Sequence, residues 1–459
     1  MLGEGFARIG EFGDARRASR GAWIFDRVVN VGTLVIRQIG GDRAGEIAVH
    51  RFLDSPEVRA EEIVATLGAR TGEHCRGRRI VAAQDTMETN FSGRDRARRG
   101  LGPGGDGKTP GFFVHDVVAI DADEESVIGL LDAAIWTRPV EGQASARRGR
   151  QLAEKESQRW LTAAQVVAER AAGARQLILV GDRESDIYPL FARRPAGVDL
   201  VVRAAQNRAL EDGRLFDRAA GWPVLGGSAV KVAPRGPGDK GRTAQVSLRA
   251  GVIRVMRPRN GADRTDPRGL DLTLVEVREE NPPAGVEALH WRLLTTLPAP
   301  DLAAAVDIVQ LYRLRWRIEQ VHRAAKNDGF ALPDTQLHRA ERLIKLAAIG
   351  IAAAVRTIQL VDARDGSTRP ASDVAGDDLL DAAEAIGPTL EGKTLRQKNP
   401  HQPRSLPWLS WITARLGGWN CYYKPPGPKT MRAGWNRLAA MAAGFLLAQA
   451  RSLSPAPAT

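Results

Sequence analysis

Two short apolar runs, each closed by an aspartate, most constrain what this chain can become: Ile80–Asp85 (IVAAQD) and Gln176–Asp182 (QLILVGD). Brief continuous apolar runs with a polar stop read as strands buried on both faces, the kind that a sheet covered by helices requires. FFVHDVVAI and SVIGLLDAAIW, parted by the acidic turn DADEE, supply two more strands. Residues 153–172 carry an amphipathic helical pattern, and a short helix and the strand VDLVVRA follow Asp182. The order is strand, strand, strand, helix, strand, helix, strand. That order predicts an α/β fold in which an antiparallel portion of a sheet feeds a parallel one.

Residues 14–70 read as helices, with a turn and an Asp/Ser/Pro helix start inside RFLDSPEVRAEEIVATL. The Gly- and Arg-rich SGRDRARRGLGPGGDGKTPG is a loop. Across 205–298, SAVKVAP, TAQVSLRAG, VIRVMRP, LDLTLVEV and LHWRLLTTL alternate in β fashion between Gly/Pro turns, which predicts a β-rich insertion. From 301 the chain reads as mostly helical, broken by a polar linker over 363–407. The apolar runs Leu346–Val355 and Leu438–Ala448 are too short to span a bilayer and read as buried helix faces. The N-terminus has no secretory apolar segment, and Cys75 and Cys421 form neither a disulfide framework nor a zinc pattern. A soluble, cytoplasmic protein with no membrane partner is expected.

The net charge of +12 and pI near 10.2 point to a polyanionic partner, nucleic acid first. GPGGDGKT, residues 102–109, matches the phosphate-loop pattern but lacks the preceding strand and following helix that such a loop needs, so a basic hairpin loop is expected instead.

The segment LYRLRWRIEQVHRAAK, 311–326, is more informative. On one helix, Tyr312, Arg315, Glu319 and Lys326 fall within a wedge of roughly 60°. Leu311, Leu314, Ile318, Val321 and Ala325 gather about 110° away as a buried stripe. One edge then presents a phenol, a guanidinium, a carboxylate and an ammonium. With Asp85 and Asp182 at strand exits, where α/β proteins assemble their sites, Glu319 completes a set of three acids. Without a Cys or His cluster, such a set suits a hard, oxygen-seeking ion, Mg²⁺ or Mn²⁺.

QDT, GDRESDI and YRLRWRIEQVHRAAK, in that order, resemble the three signature blocks of bacterial DDE transposases of the insertion-sequence-four family. The third satisfies every position of that family's Tyr-x₂-Arg-x₃-Glu-x₆-Lys motif. The similarity runs from GDARR, at residue 13, to RLGGWNCYYKPPGPKTMRAGWNRL. It implies a ribonuclease-H-like mixed sheet flanked by helices, with a β-rich insertion and helical N- and C-terminal regions. The implied segments are a helical DNA-end-binding region over 1–70 and a first part of the catalytic core over 71–204. The β-rich insertion over 205–298, a second core part with the catalytic helix over 299–362, and a linker with a C-terminal dimerisation region over 363–459 follow. Asp85, Asp182 and Glu319 would be the catalytic acids and the ligands of two Mg²⁺ or Mn²⁺ ions. Arg203, Trp291, Tyr312, Arg315 and Lys326 would contact DNA, Trp291 by sheltering a base extruded at a hairpin end. The implied partners are double-stranded transposon ends and target DNA, bound by a homodimer associated with the nucleoid. Two alternatives stay open: a nuclease or resolvase that cuts without joining, which would share the three acids, and an inactive DNA-binding regulator, against which the presence of all three acids argues. The chain starts a dozen residues before GDARR, where relatives carry a further basic helix. A truncated start or a different mode of end recognition is expected.

Overall fold

The computed structural model describes residues 7–91, 100–138, 156–232, 241–327 and 330–453. The arginine-rich SGRDRARR (92–99) and the first residues of the 153–172 helix expectation lie outside that set.

Helices α1 (Ala15–Val31), α2 (Ile36–Gly40), α3 (Arg43–Asp54) and α4 (Ala60–His74) precede the first strand. The GDARR block is a helix start. Gly13 takes φ +64, and the Asp14 carboxylate accepts from the backbone N–H groups of Arg16 and Arg17. The helix start expected around Asp54-Ser55-Pro56 is corrected: Asp54 ends α3, Ser55 caps it, and α4 begins at Ala60.

The strands are β1 (Arg79–Asn90), β2 (Gly102–Pro103), β3 (Pro110–Asp121), β4 (Ser126–Trp136), β5 (Gln176–Gly181), β6 (Val198–Arg203), β7 (Ala209–Leu210), β8 (Gly213–Arg214), β9 (Gly226–Val232), β10 (Arg242–Met256), β11 (Gly269–Glu279) and β12 (His290–Thr295). Interleaved with them are helices α5 (Gln158–Arg170), α6 (Tyr188–Ala192) and α7 (Leu215–Arg218). The chain closes with α8 (Leu302–Leu314), α9 (Trp316–Lys326), α10 (Ala340–Ala363), α11 (Asp377–Ile386), α12 (Leu406–Leu416) and α13 (Pro428–Leu453).

In the centre of the sheet the order is β4-β3-β1-β5-β6. β1 is antiparallel to β3 and β3 to β4, while β1, β5 and β6 run parallel. This is the mixed, ribonuclease-H-like α/β arrangement expected from the sequence. The β-rich stretch continues the same sheet, since β12 pairs with β6 and then β11, β10 and β9 follow. TAQVSLRAG and VIRVMRP are one strand, β10. Gly251 is no turn there; a Cβ would come within 2.9 Å of the Trp222 ring.

Strand alternation gives the sheet two buried faces. Val81, Ala83, Val114, Val118, Ile178 and Val180 face the C-terminal helices, and Ile80, Ala82, Val117, Ala119, Leu177 and Leu179 join a core with α5 and α6. The run around Leu346–Val355 belongs to the 24-residue α10, which is long and apolar enough to cross a membrane by length and composition. That differs from the expectation, but 94% of its apolar window is buried inside this protein, so it is a core helix here. The other run is only partly buried. Leu438 and Ala442 are covered, whereas Met441 is 48% and Leu447 68% exposed.

Candidate active site

Asp85 lies inside β1 rather than at its end, because β1 continues to Asn90 along β3. Its parallel pairing with β5 stops earlier, at Ala83↔Val180, so Asp85 sits just past the edge of the parallel sheet. Asp182 holds the matching place after Gly181, the last β5 residue paired with β6. Both acids therefore emerge at the carboxyl edge where two parallel strands stop.

Segment 311–326 is not one uninterrupted helix: α8 ends at Leu314 and α9 begins at Trp316. Arg315 keeps helical dihedrals, φ −50 and ψ −32, but the turn tightens around it. Its N–H donates to the Tyr312 carbonyl at 3.1 Å, and Ile318 N–H donates to the Arg315 carbonyl at 3.1 Å. The buried stripe is as expected, with Leu311, Leu314, Ile318, Val321 and Ala325 each at most 3% exposed.

The tight turn places Arg315 between two of the acids. Its Nη1 donates to Asp85 Oδ2 at 3.0 Å and its Nη2 to Glu319 Oε1 at 2.5 Å. Burial pushes the Asp85 carboxyl up to about 6; Arg315 and His322 oppose that rise, and the charge of Asp182 adds to it. Burial works against the Arg315 cation, but Tyr312, Asp85 and Glu319 outweigh it and hold it charged. Asp182 turns one oxygen to its own chain, accepting Glu184 N–H at 2.8 Å. Among the described residues, no group of three or more His, Cys, Asp or Glu side chains converges closely enough to hold a metal ion. Two acids are thus tied through Arg315, and the third is an electrostatic neighbour. The donor chemistry fits Mg²⁺ or Mn²⁺: carboxylate oxygens only, around a place where a cationic group already bridges Asp85 and Glu319.

The other candidate residues frame the same edge. Tyr312 is only 5% exposed, and its ring meets Trp291 edge-on at 5.0 Å and 70°. Trp291 is half-buried on β12, against the core. Arg203, at the end of β6, donates to the His290 carbonyl at 3.5 Å and faces the Tyr312 phenol. Lys326 is half-buried at the end of α9; burial lowers its ammonium, while Glu88, Asp116 and Asp85 oppose that change.

Several residues here escape a reading of the sequence. Asp116 stands opposite Asp85 on β3 and bonds His322 of α9 at 2.7 Å. On the other face of the same strands, His115 contacts Thr86 Oγ1 at 2.9 Å and Gln84 Oε1 at 3.3 Å. Burial keeps His115 neutral by lowering its pKa well below the usual histidine range. Arg159 of α5 reaches Thr86 Oγ1 at 3.1 Å and Glu184 at 3.0 Å, linking the Asp85 and Asp182 ends from behind. The available signal was the polar pair His115-Asp116 inside the apolar run FFVHDVVAI.

Residues 150–355 match the family model of the transposase DDE domain.

That stretch takes in Asp182 and Glu319, and begins beyond Asp85. The match supports a DDE transposase, an enzyme class that acts on DNA and generally uses divalent metal ions. The loop around 102–109 plays no phosphate-loop part: it is the β2–β3 turn, held by Asp106 accepting from Lys108 and Thr109 N–H.

Proposed function

We propose that this protein is a cut-and-paste transposase of the insertion-sequence-four kind. It nicks transposon ends, forms and reopens a hairpin, and joins the freed ends to target DNA. The observation that carries this reading is the grip of a single guanidinium, Arg315, on Asp85 and Glu319 beside Asp182.

Asp85, Asp182 and Glu319 would hold two Mg²⁺ or Mn²⁺ ions, which supply activation of an attacking hydroxyl and stabilisation of the leaving oxygen. The chain's own groups do the rest. Arg315 lets go of the carboxylates and takes a phosphate with its planar fork, while Lys326 holds a neighbouring phosphate as a point charge. Arg203 and Tyr312 line the approach to Trp291, whose half-buried ring offers a face to the base displaced at a hairpin end. Stacking on such a face is worth about 1–3 kcal/mol per base, enough to offset much of the cost of extrusion. The helices at the N-terminal end supply end recognition. The exposed Met441 and Leu447 on α13 suit a second copy in a synaptic homodimer.

A supercoiled plasmid carrying a segment between candidate inverted repeats, incubated with the protein and Mg²⁺, tests this. The expected result is hairpin-ended release of the segment followed by joined products. Cutting without joining would favour a nuclease or resolvase, and binding without cutting an inactive regulator.

A further inference from the structure

A buried Asp–His hydrogen-bonded pair stands beside two of the proposed acids, and the mechanism above does not use it. Asp116 is fully buried and His322 is 9% exposed. The His322 ring nitrogen Nε2 lies 2.7 Å from Asp116 Oδ1. Asp116 is the direct cross-strand partner of Asp85, so the two side chains share one face of the sheet. His322 follows Glu319 by three residues on α9, so those two share one face of the helix. The contact therefore joins the strand pair that carries Asp85 to the helical turn that carries Glu319.

An ordinary packing contact would be apolar. Ile318, Val321 and Ala325 already supply one for this helix, and a buried charged pair adds little stability over well-packed apolar groups. What a hydrogen-bonded pair adds is a fixed register between the two elements. The Asp116 carboxylate still carries an unused acceptor, since its Oδ2 is buried with no hydrogen-bond partner among the described residues. Among the described residues, the charged and titratable groups around His322 include Asp116, Asp85, Lys326 and His115; burial and Lys326 oppose the imidazolium, while Asp116 and Asp85 favour it.

We propose that Asp116 and His322 are positioning residues, which lock α9 against β1 and β3 so that Glu319 and Asp85 are held at one fixed separation for their shared ions. This rests on the three-acid reading above. Groups that orient metal-binding side chains from behind typically change metal affinity or activity by about 10–100-fold when removed.

The test is Mn²⁺ binding to the full-length protein, read by electron paramagnetic resonance, alongside thermal melting and DNA affinity. H322L, which removes the donor, should weaken Mn²⁺ binding at least about 10-fold with DNA affinity unchanged. H322Q, whose side-chain N–H can still reach Asp116, should restore most of the loss, and D116N should lie between the two. H322L leaves Asp116 unpaired. If it fails to fold, the double variant D116L/H322L takes its place, because it leaves no lone buried charge. Either variant, folded and binding Mn²⁺ as tightly as the wild type, overturns the positioning role while D85N and E319Q still lose the ion. If D85N and E319Q bind Mn²⁺ like the wild type, or the wild type binds none, the three-acid reading fails and this inference fails with it.

Discussion

Replacing Asp85 by Asn should stabilise this protein while destroying its activity. The Asp85 carboxyl titrates near 6 in the fold, against an ordinary value of 3.8, chiefly because it is buried. Its side chain is 20% exposed, so the penalty is only partly screened. A rise of about two units corresponds to roughly 3 kcal/mol favouring the neutral form, an upper bound that already includes the attraction of Arg315. The sign follows from proton linkage. Between pH 4 and 6 the folded state binds the proton that the unfolded state has lost, so wild-type stability falls as pH rises through that window. The whole penalty is present above the folded pKa and absent below the unfolded one. Asn carries no such penalty. Melting of wild type and D85N from pH 4 to pH 8 without divalent ions should therefore show D85N melting higher at pH 7.5, with the gap closing toward pH 4. Millimolar Mg²⁺ should then raise the wild-type melting temperature and leave D85N where it was, since an ion that binds only the folded site stabilises by mass action. A D85N protein equal to or weaker than wild type at pH 7.5, or a gap that does not change with pH, would refute the claim that Asp85 is a strained, buried carboxylate.

R315A and K326A should each lower the salt dependence of DNA binding by about one unit of slope per lost phosphate contact, measured by anisotropy over a range of salt concentrations. An unchanged slope in both would return this helix edge to a plain ion-pair role. W291A should fold and bind ends yet stall between nicking and hairpin formation, with partial rescue by DNA that is abasic at the extruded position. If Trp291 is only core, W291A should instead cost about 3–5 kcal/mol of stability and impair every step together.

How far the sequence foretells this fold varies element by element, for physical reasons. The strands buried on both faces were legible because their neighbours leave no place for polar residues, and QLILVG is β5 from end to end. β1 runs past the Ile80–Asp85 expected from the sequence, and its character changes at Asp85. Beyond Ala83 it loses β5 as a neighbour, so Thr86 and Glu88 are partly exposed while Met87 and Thr89 stay buried. Gly251 read as a break because glycine ordinarily marks one, whereas here it makes room for Trp222, a contact no local pattern reveals. The edge formed by Tyr312, Arg315, Glu319 and Lys326 was legible from helical spacing. The tightening at Arg315 was not, because it goes with two salt bridges, one of them to a residue 230 positions away. The polar pair His115-Asp116 inside an apolar run marks Asp116 as unusual, but its partner His322 lies 206 positions away, and only the fold sets the two 2.7 Å apart.

The central claim is that Asp85, Asp182 and Glu319 act as one catalytic set. The most direct measurement is single-turnover cleavage of end DNA in Mg²⁺ by D85N, D182N and E319Q, each first shown to bind the DNA as the wild type does. Binding rests on many phosphate contacts and catalysis on every ligand, so all three variants should bind normally and cut undetectably. Any one of them cutting at close to the wild-type rate would contradict the account.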